Sequence, residues 1–373
     1  MKKRLIPLAV GLAAFAGAAS AQDSTTLFGI VDVGVRAVKN GDGSTVKSLV
    51  SNGLTTSRIG FRGVEDLGDG LKAGFWLEAE VAPDTGTAGT VNGTFANSAA
   101  TSTAKFFNRR STVSVTGMFG EVRLGRDNTP LYTTLVAFDS YGAVGVGNIL
   151  NVIGTTTTGT LGSGAGTLQR VDNSISYFLP ANIGGVYGSI MAAAGEGVNS
   201  TNGNNRFVGG RVGYATGPVD VVGGYGRTRI PGNDDLRVWT VAGSFKFSVA
   251  RLSALYHRAD YRPNGLDNRT QKVWAIGANV PLGQGELRAT YQRSDVGGST
   301  ITGLRDQDDA RQYAIGYLYN LSKRTAVYSD IGRLQNRGLS QLTIPGGTTT
   351  GSNFGQVDNR DSTALALGVR HTF

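Results

Sequence analysis

Cysteine is absent from all 373 residues, which excludes disulfides, thiolate metal sites, a cysteine nucleophile and a lipid-anchoring lipobox. Histidine occurs only twice, and His257 and His371 stand too far apart for a metal pair of the HExxH kind. Beyond the first twenty residues no apolar run approaches the ~18 residues of a membrane helix, so a helical membrane protein is excluded. Glycine, by contrast, is abundant. At 56 residues it is about twice the usual share, and because each glycine inside a helix costs roughly 1 kcal/mol against alanine, a helical bundle is excluded too. The net charge of +9 is scattered along the chain without a contiguous basic helix, so it marks no nucleic-acid interface. Nothing in the composition calls for a metal or an organic cofactor.

The first residues read as an address. Met1-Lys2-Lys3-Arg4 is a basic start, Leu5 to Ala18 is apolar, and Ala19-Ser20-Ala21 is a small-x-small cleavage site. Residues 1–21 are therefore expected to be a signal peptide and 22–373 a single exported domain. Removing 21 of 373 residues, with Lys2, Lys3 and Arg4 among them, leaves 352 residues and a net charge of +6.

From Thr26 onward one pattern repeats: about ten residues of alternating character, then a break rich in Gly, Asn, Asp and Thr. Leu27, Gly29, Val31, Val33 and Val35 share one face, and Phe28, Ile30, Asp32, Gly34 and Arg36 the other. Period two with one apolar face is the strand signal. Sixteen such segments are expected, at 26–38, 53–65, 70–82, 104–117, 119–127, 169–179, 184–195, 204–216, 219–230, 235–248, 250–262, 269–281, 285–295, 308–320, 324–337 and 359–373. The breaks alternate in length: Gly217-Pro218 and the turn around Asp69-Gly70 are short, whereas 39–52, 83–103, 128–168 and 338–358 are long. Short turns at one end and long loops at the other describe an outer-membrane barrel, and an edge-free barrel is the way strands cross lipid. The second face carries Arg, Asp, Glu, Lys, Thr and Gly, as a water-filled lumen requires. The fold class expected is all-β, a 16-stranded antiparallel transmembrane barrel.

Alternation also sorts the charges. With Ile59 and Phe61 towards lipid, Arg58 and Arg62 point inward; Glu78 and Glu80 do so on the next strand, and Asp32 and Arg36 on the first. With Val171, Ile175, Tyr177 and Leu179 towards lipid, Arg170 and Asp172 face water. Val113 and Val115 towards lipid put Arg110 inward. Arg126 shares the parity of Val122 and Leu124, which aims it outward; an arginine at mid-bilayer costs roughly 2–4 kcal/mol, so a place at the rim or against a neighbouring protomer is expected, and we expect the protomer contact.

Several stretches resemble the Gram-negative porin family, in particular the trimeric porins of the betaproteobacterial kind. They are Thr26–Val35 (TLFGIVDVGV), Ser57–Glu80 (SRIGFRGVEDLGDGLKAGFWLEAE), Phe107–Pro130 (FNRRSTVSVTGMFGEVRLGRDNTP), Val171–Leu179, Leu321–Tyr328 and Leu367–Phe373, and together they run from end to end of the chain. The terminal Phe373, with apolar residues alternating back from it, is similar to the assembly signal of such barrels, which implies the barrel assembly machinery as a partner. The resemblance implies a homotrimer in outer-membrane lipid and lipopolysaccharide, with the third long loop folded into the lumen as a constriction; 128–168 is the candidate. Carried over by motif, Arg58, an arginine of Arg109/Arg110 and Arg170 form a basic side, and Glu78 and Asp139 supply acids. The motif points to Arg109 where alternation points to Arg110, and both are kept. The pore constriction expected is thus Arg58, Arg62, Glu78, Arg109, Arg110, Asp139 and Arg170, with Arg126 at the trimer contact and Phe373 as assembly signal.

Such a channel passes small anions and hydrophilic solutes by passive diffusion and does no chemistry; fixed arginines in a narrow aqueous path favour anions. A channel specific for phosphate or an organic acid is the alternative. A barrel enzyme is a remote one, since His257 falls on the inward face with no evident nucleophile beside it. Asp306, Asp308 and Asp309 are loop acids that suit either a divalent cation or plain solvation.

Overall fold

The computed structural model describes residues 24–41, 43–88, 105–153, 166–195, 206–230, 234–261, 269–298, 309–338, 340, 342–345 and 361–373. The expected signal peptide, 1–21, lies outside them, as do Asp306 and Asp308.

The described strands close into one antiparallel barrel of sixteen wall strands. We label them β1 (Ser24–Lys39), β2 (Thr45–Ser51 continued by Arg58–Gly68), β3 (Leu71–Ala82), β4 (Arg110–Gly117), β5 (Gly120–Asn128), β6 (Arg170–Phe178), β7 (Val186–Ala193) and β8 (Phe207–Thr216). Then follow β9 (Val219–Ile230), β10 (Asp234–Lys246), β11 (Arg251–Tyr261), β12 (Arg269–Leu282), β13 (Gly285–Gly297), β14 (Ala310–Asn320), β15 (Thr325–Asn336) and β16 (Ser362–Thr372). Each strand pairs with its sequence neighbours, and β16 closes on β1 from Ile30 opposite Thr372 to Lys39 opposite Thr363. Closure leaves no free sheet edge among the described strands, the arrangement in which wall backbone groups pair with one another and not with water.

Alternation sets the two faces. Val35, Leu365, Ile315 and Ile331 stand outward, about half exposed, while their neighbours in sequence are buried. One end of the barrel is closed by tight turns, where Gly217 and Gly283 adopt φ of +52° and +60°, backbone that side chains with a Cβ rarely take.

Two expectations are corrected. The second strand was expected at 53–65 after a loop at 39–52, but it begins at Thr45, breaks at residues 52–57 and resumes at Arg58. Both pieces pair along β1, Thr45–Ser51 against Val33–Lys39 and Arg58–Val64 against Ser24–Ile30. The excursion is pinned by Asp32: its carboxylate accepts the N–H of Leu54 at 2.7 Å and of Thr55 at 2.5 Å and the Tyr328 hydroxyl at 2.7 Å. Asp32 is therefore fully buried structure rather than a water-facing charge. The second correction concerns β6. Val171, expected towards lipid, is fully buried with Met191, Ala193 and Phe207. The register slips by one residue between Gly125 and Asp127, with Asn173 at φ +53°, and such a bulge reverses which face each residue takes.

Between β5 and β6 lie three helices, α1 (Pro130–Phe138), α2 (Leu150–Ile153) and α3 (Gly166–Gln169). Thr129 caps α1, its hydroxyl accepting the Tyr132 N–H at 3.1 Å, and Pro130 occupies the first turn, where no donor is lost. The segment packs on wall side chains of the face opposite the exposed apolar band. Gln271, Gln292 and Gln312 on β12, β13 and β14 donate to the carbonyls of Val152, Gly147 and Asn148 at 2.9–3.0 Å. Asn279 donates to Ser140 O and Arg251 to Ala137 O. Leu131, Leu135, Phe138, Val146, Ile149 and Ile153 bury their side chains there together with Ala242, Ala314 and Leu334 of the wall.

Candidate functional site

A cavity of about 280 Å³ lies where the inward faces of β2 to β7 meet the start of α1. Its charged lining is Arg58, Arg109, Arg110, Arg123, Arg170, Glu78 and Asp127. Strand alternation delivers Arg58, Glu78 and Arg123 to it. Arg109 precedes the first residue of β4, so strand parity does not bind it, and both Arg109 and Arg110 reach the cavity.

Two carboxylates hold most of these bases. Glu78 accepts Arg109 Nε at 2.5 Å, Arg58 Nη1 at 3.3 Å and the Trp76 indole N–H at 3.0 Å. Asp127 accepts Arg123 Nη1 at 2.5 Å and has Arg110 Nε at 3.9 Å, while Arg123 also takes Glu121 with both ends of its fork, at 2.9 Å each. Such charge-assisted, partly bidentate bonds fix a guanidinium in place. Arg110 further lies over the Trp76 ring at 4.6 Å. Arg170 is different: its guanidinium sits 5.3 Å from the Tyr132 ring centre, and its Nε and Nη2 are buried without a hydrogen-bond partner. Five bases against two acids leave the lining net positive.

The structure thus brings together Arg58, Glu78, Arg109, Arg110 and Arg170. Arg62 stands apart, over Phe28 and Trp76 at 5.4 and 5.2 Å. Asp139 lies elsewhere. It is buried after α1 and its carboxylate accepts the N–H of Tyr141, Ala143 and Ile149, at 3.3, 2.9 and 3.0 Å. Burial pushes that carboxyl up to about 6 against the pull of those N–H groups and of nearby Arg288; burial likewise pushes the Tyr141 hydroxyl up. Asp172, expected towards water, pairs instead with Lys105 and, at 2.7 Å, with Arg126, whose Nε also donates to Asn108 O at 2.6 Å. Arg36 spends a donor on Pro345 O at 2.6 Å. Sequence reasoning missed Arg123 and Asp127, although Arg123 alternates with Val122 and Leu124 and was open to the same parity argument. It also missed the glutamine ladder, whose three members sit on three strands and align only through register.

His257 is buried on the inward face against Thr240 Oγ1 at 2.9 Å, and among the described residues no cluster of three His, Asp or Glu side chains suits a metal. Phe373 joins its backbone to Gly29 through N–H and C=O bonds of 3.0 and 3.1 Å.

Comparisons with known proteins extend over nearly the whole chain. Residues 8–339 match the family described as Gram-negative porin. The chain is 38% identical to the outer membrane porin protein 32 of Delftia acidovorans and 27% identical to an outer membrane porin protein of Bordetella pertussis, in each case over all of both chains. Its structure superposes on the anion-selective porin from Comamonas acidovorans with a TM-score of 0.78 and 33% identity, covering 94% of this chain and 100% of the other.

Proposed function

The chain belongs to the Gram-negative porin family, and from that premise we propose that the arginine-lined cavity is the constriction of its pore and gives the pore a preference for anions. The protein is an outer-membrane channel for passive diffusion of small hydrophilic solutes and ions, and not an enzyme. The observation that carries the anion preference is the lining itself, five arginines to two acids. The anion-selective name of a structural relative at 33% identity supports it. Charges fixed beside a narrow aqueous path act on a passing ion more strongly than charges in bulk water.

In this reading the segment 129–153 is the third long loop, folded into the lumen; its bonds to Gln271, Gln292 and Gln312 support that. The protein works as a homotrimer, exported by a signal peptide at 1–21 and inserted by the barrel assembly machinery reading Phe373. The outer wall from β16 through β1 to β7 supports trimer contact, being aliphatic where its long-loop half is exposed: Leu367, Val35, Val113, Leu124, Ile175 and Ile190. Arg126 is the protomer contact on that wall, its charge carried outward as a pair with Asp172. Arg126→Ala should lower the melting point of the trimer band on semi-native gels; an unchanged band would remove Arg126 from the interface.

The test of the pore is the zero-current potential of the purified protein in a planar bilayer under a KCl gradient. An anion-selective sign, weakened in Arg58→Ala, is expected. A cation-selective sign would overturn the anion preference and transfer control to Glu78 and Asp127.

A further inference from the structure

The inward face of β1 to β8 carries more than charge. Phe28 on β1 and Trp76 on β3 meet edge to face at 5.1 Å, and Arg62 on the strand between them lies over both rings. Arg110 on β4 lies 4.6 Å from the Trp76 ring centre, and Arg123 on β5 lies 4.1 Å from that of Phe178 on β6. Arg211 on β8 lies 5.6 Å from the ring centre of Tyr187 on β7. Eight consecutive strands thus supply one member each, four rings and four guanidinium groups in one band. Their sequence neighbours Leu27, Phe61, Phe75, Leu124 and Val212 stand exposed on the outer wall, so the band belongs to the lumen. The bonds that seat the segment 129–153 fall on β11 to β14, across the barrel from it.

Chloride needs only the charge, and the rings are surplus to that. A guanidinium seated on a ring is held by the negative π-face, while its other flat face and its edge of N–H donors can serve a second partner. Arg62 is exposed and, among the described residues, forms no ion pair. The carboxylate paired with Arg110 stands at 3.9 Å, outside hydrogen-bond reach. Trp76, Phe178, Arg110 and Arg123 line one cavity of about 280 Å³, just below the usual span of drug-sized sites, which suits a solute of one ring. A solute with both a π-face and a carboxylate meets both features of the band: stacking against a ring or a guanidinium, and a charge-assisted bond to a guanidinium edge.

We propose that this band is a binding track for aromatic carboxylates, of which benzoate is the simplest, with Arg110, Arg123, Trp76 and Phe178 as its central site and Arg62 as its next step towards the short-turn end. One guanidinium edge takes the carboxylate, and the ring of the solute stacks within the band. Arg62 lies four residues beyond Arg58 along β2, so a solute leaving the constriction meets a stacked cation again. The inference rests on the pore reading above and names the class of anion that the lumen prefers.

The test measures, in planar bilayers holding the purified folded protein, the concentration of an added acid that halves the chloride current. Benzoate should reach it at a concentration roughly fivefold lower than cyclohexanecarboxylate, which has the same charge and a similar size but no π-face. The double variant Arg62→Lys, Phe178→Leu keeps every charge and removes one planar cation and one ring, and its two acids should differ by less than about twofold. Because the ratio is taken within one protein, a change in pore width or in total charge cancels. Should the double variant fail to fold, Arg62→Lys alone, at an exposed side chain, should cut the ratio by about half. A wild type blocked equally by both acids, or a variant that keeps the full ratio, would overturn the proposal. The zero-current potential under a KCl gradient, read from the same membranes, separates this proposal from the reading beneath it. A cation-selective sign with the benzoate preference kept would strike the anion preference and leave the track standing, and an anion-selective sign without it would do the reverse. If no chloride current flows, the pore reading falls, and calorimetric titration of the protein in detergent with the same two acids decides the track by the same ratio.

Discussion

Two polar stretches of the wall touch the segment 129–153, and they use their polarity in opposite ways. On β12 to β14 the groups are neutral glutamines, and Gln271, Gln292 and Gln312 each spend an amide donor on a backbone carbonyl of the segment. The charges nearby are neutralised: Arg288 grips Asp330 through three bonds of 2.8–3.1 Å while lying 4.1 Å over the Tyr141 ring. On β2 to β6 the groups are charged, and in the cavity lining five arginines outnumber two acids. One stretch is an anchor, and the other is a field. A neutral amide gives directional bonds at small desolvation cost, whereas a surplus of guanidinium attracts ions.

That contrast is broken most severely by unseating the segment. A Cβ on Gly147 would lie 2.6 Å from Ala314 Cβ and 2.6 Å from the Tyr141 ring, so Gly147→Val forces the segment off the anchor at a cost of about 1–3 kcal/mol. Single-channel conductance should rise and selectivity fall together. A variant with wild-type conductance would show that the segment does not narrow the path.

A smaller change sharpens the contrast by comparing two arginines. Even at the dielectric of water a unit charge ~4 Å from an ion is worth about 1 kcal/mol, so Arg58→Ala should cut anion permeability about fivefold, and the anion-to-cation permeability ratio by more because the repulsion of cations is lost as well. Arg62, stacked on Phe28 and Trp76 and not itself part of the cavity lining, should leave the ratio near that of wild type when replaced by alanine. Equal effects would mean that total lumen charge, and not the cavity, sets the preference.

The smallest effect concerns pH. The Asp139 carboxyl is raised to about 6 from an ordinary 3.8, so its contribution to stability is fully present below about 3.8 and is lost as pH rises through about 6. Thermal unfolding in detergent should therefore show wild type losing stability between pH 4 and pH 7 relative to Asp139→Asn. Parallel curves would place the titration elsewhere.

Much of this was legible in the chain. Alternation gave the number of wall strands and the inward side of Arg58, Glu78 and Arg110, because period two is a local property of the backbone. It failed at Val171, where one bulged residue reverses the faces, and at β2, where the break at residues 52–57 answers to Asp32, more than twenty residues away. Asp139 read as a pore acid by resemblance, and it is instead consumed by three N–H groups of its own loop. Parity says which face a side chain takes and nothing about what waits there.

The sequence by itself determined the barrel, its polar interior, its apolar exterior and the surplus of base over acid, since composition and a two-residue period are enough for those. Only the tertiary structure decided which charges meet. Closure of the sheet brings Arg170 and Arg58 into one cavity and aligns three glutamines under one loop. Those contacts join residues tens to hundreds of positions apart, and their geometry is fixed by strand register, which no local pattern contains.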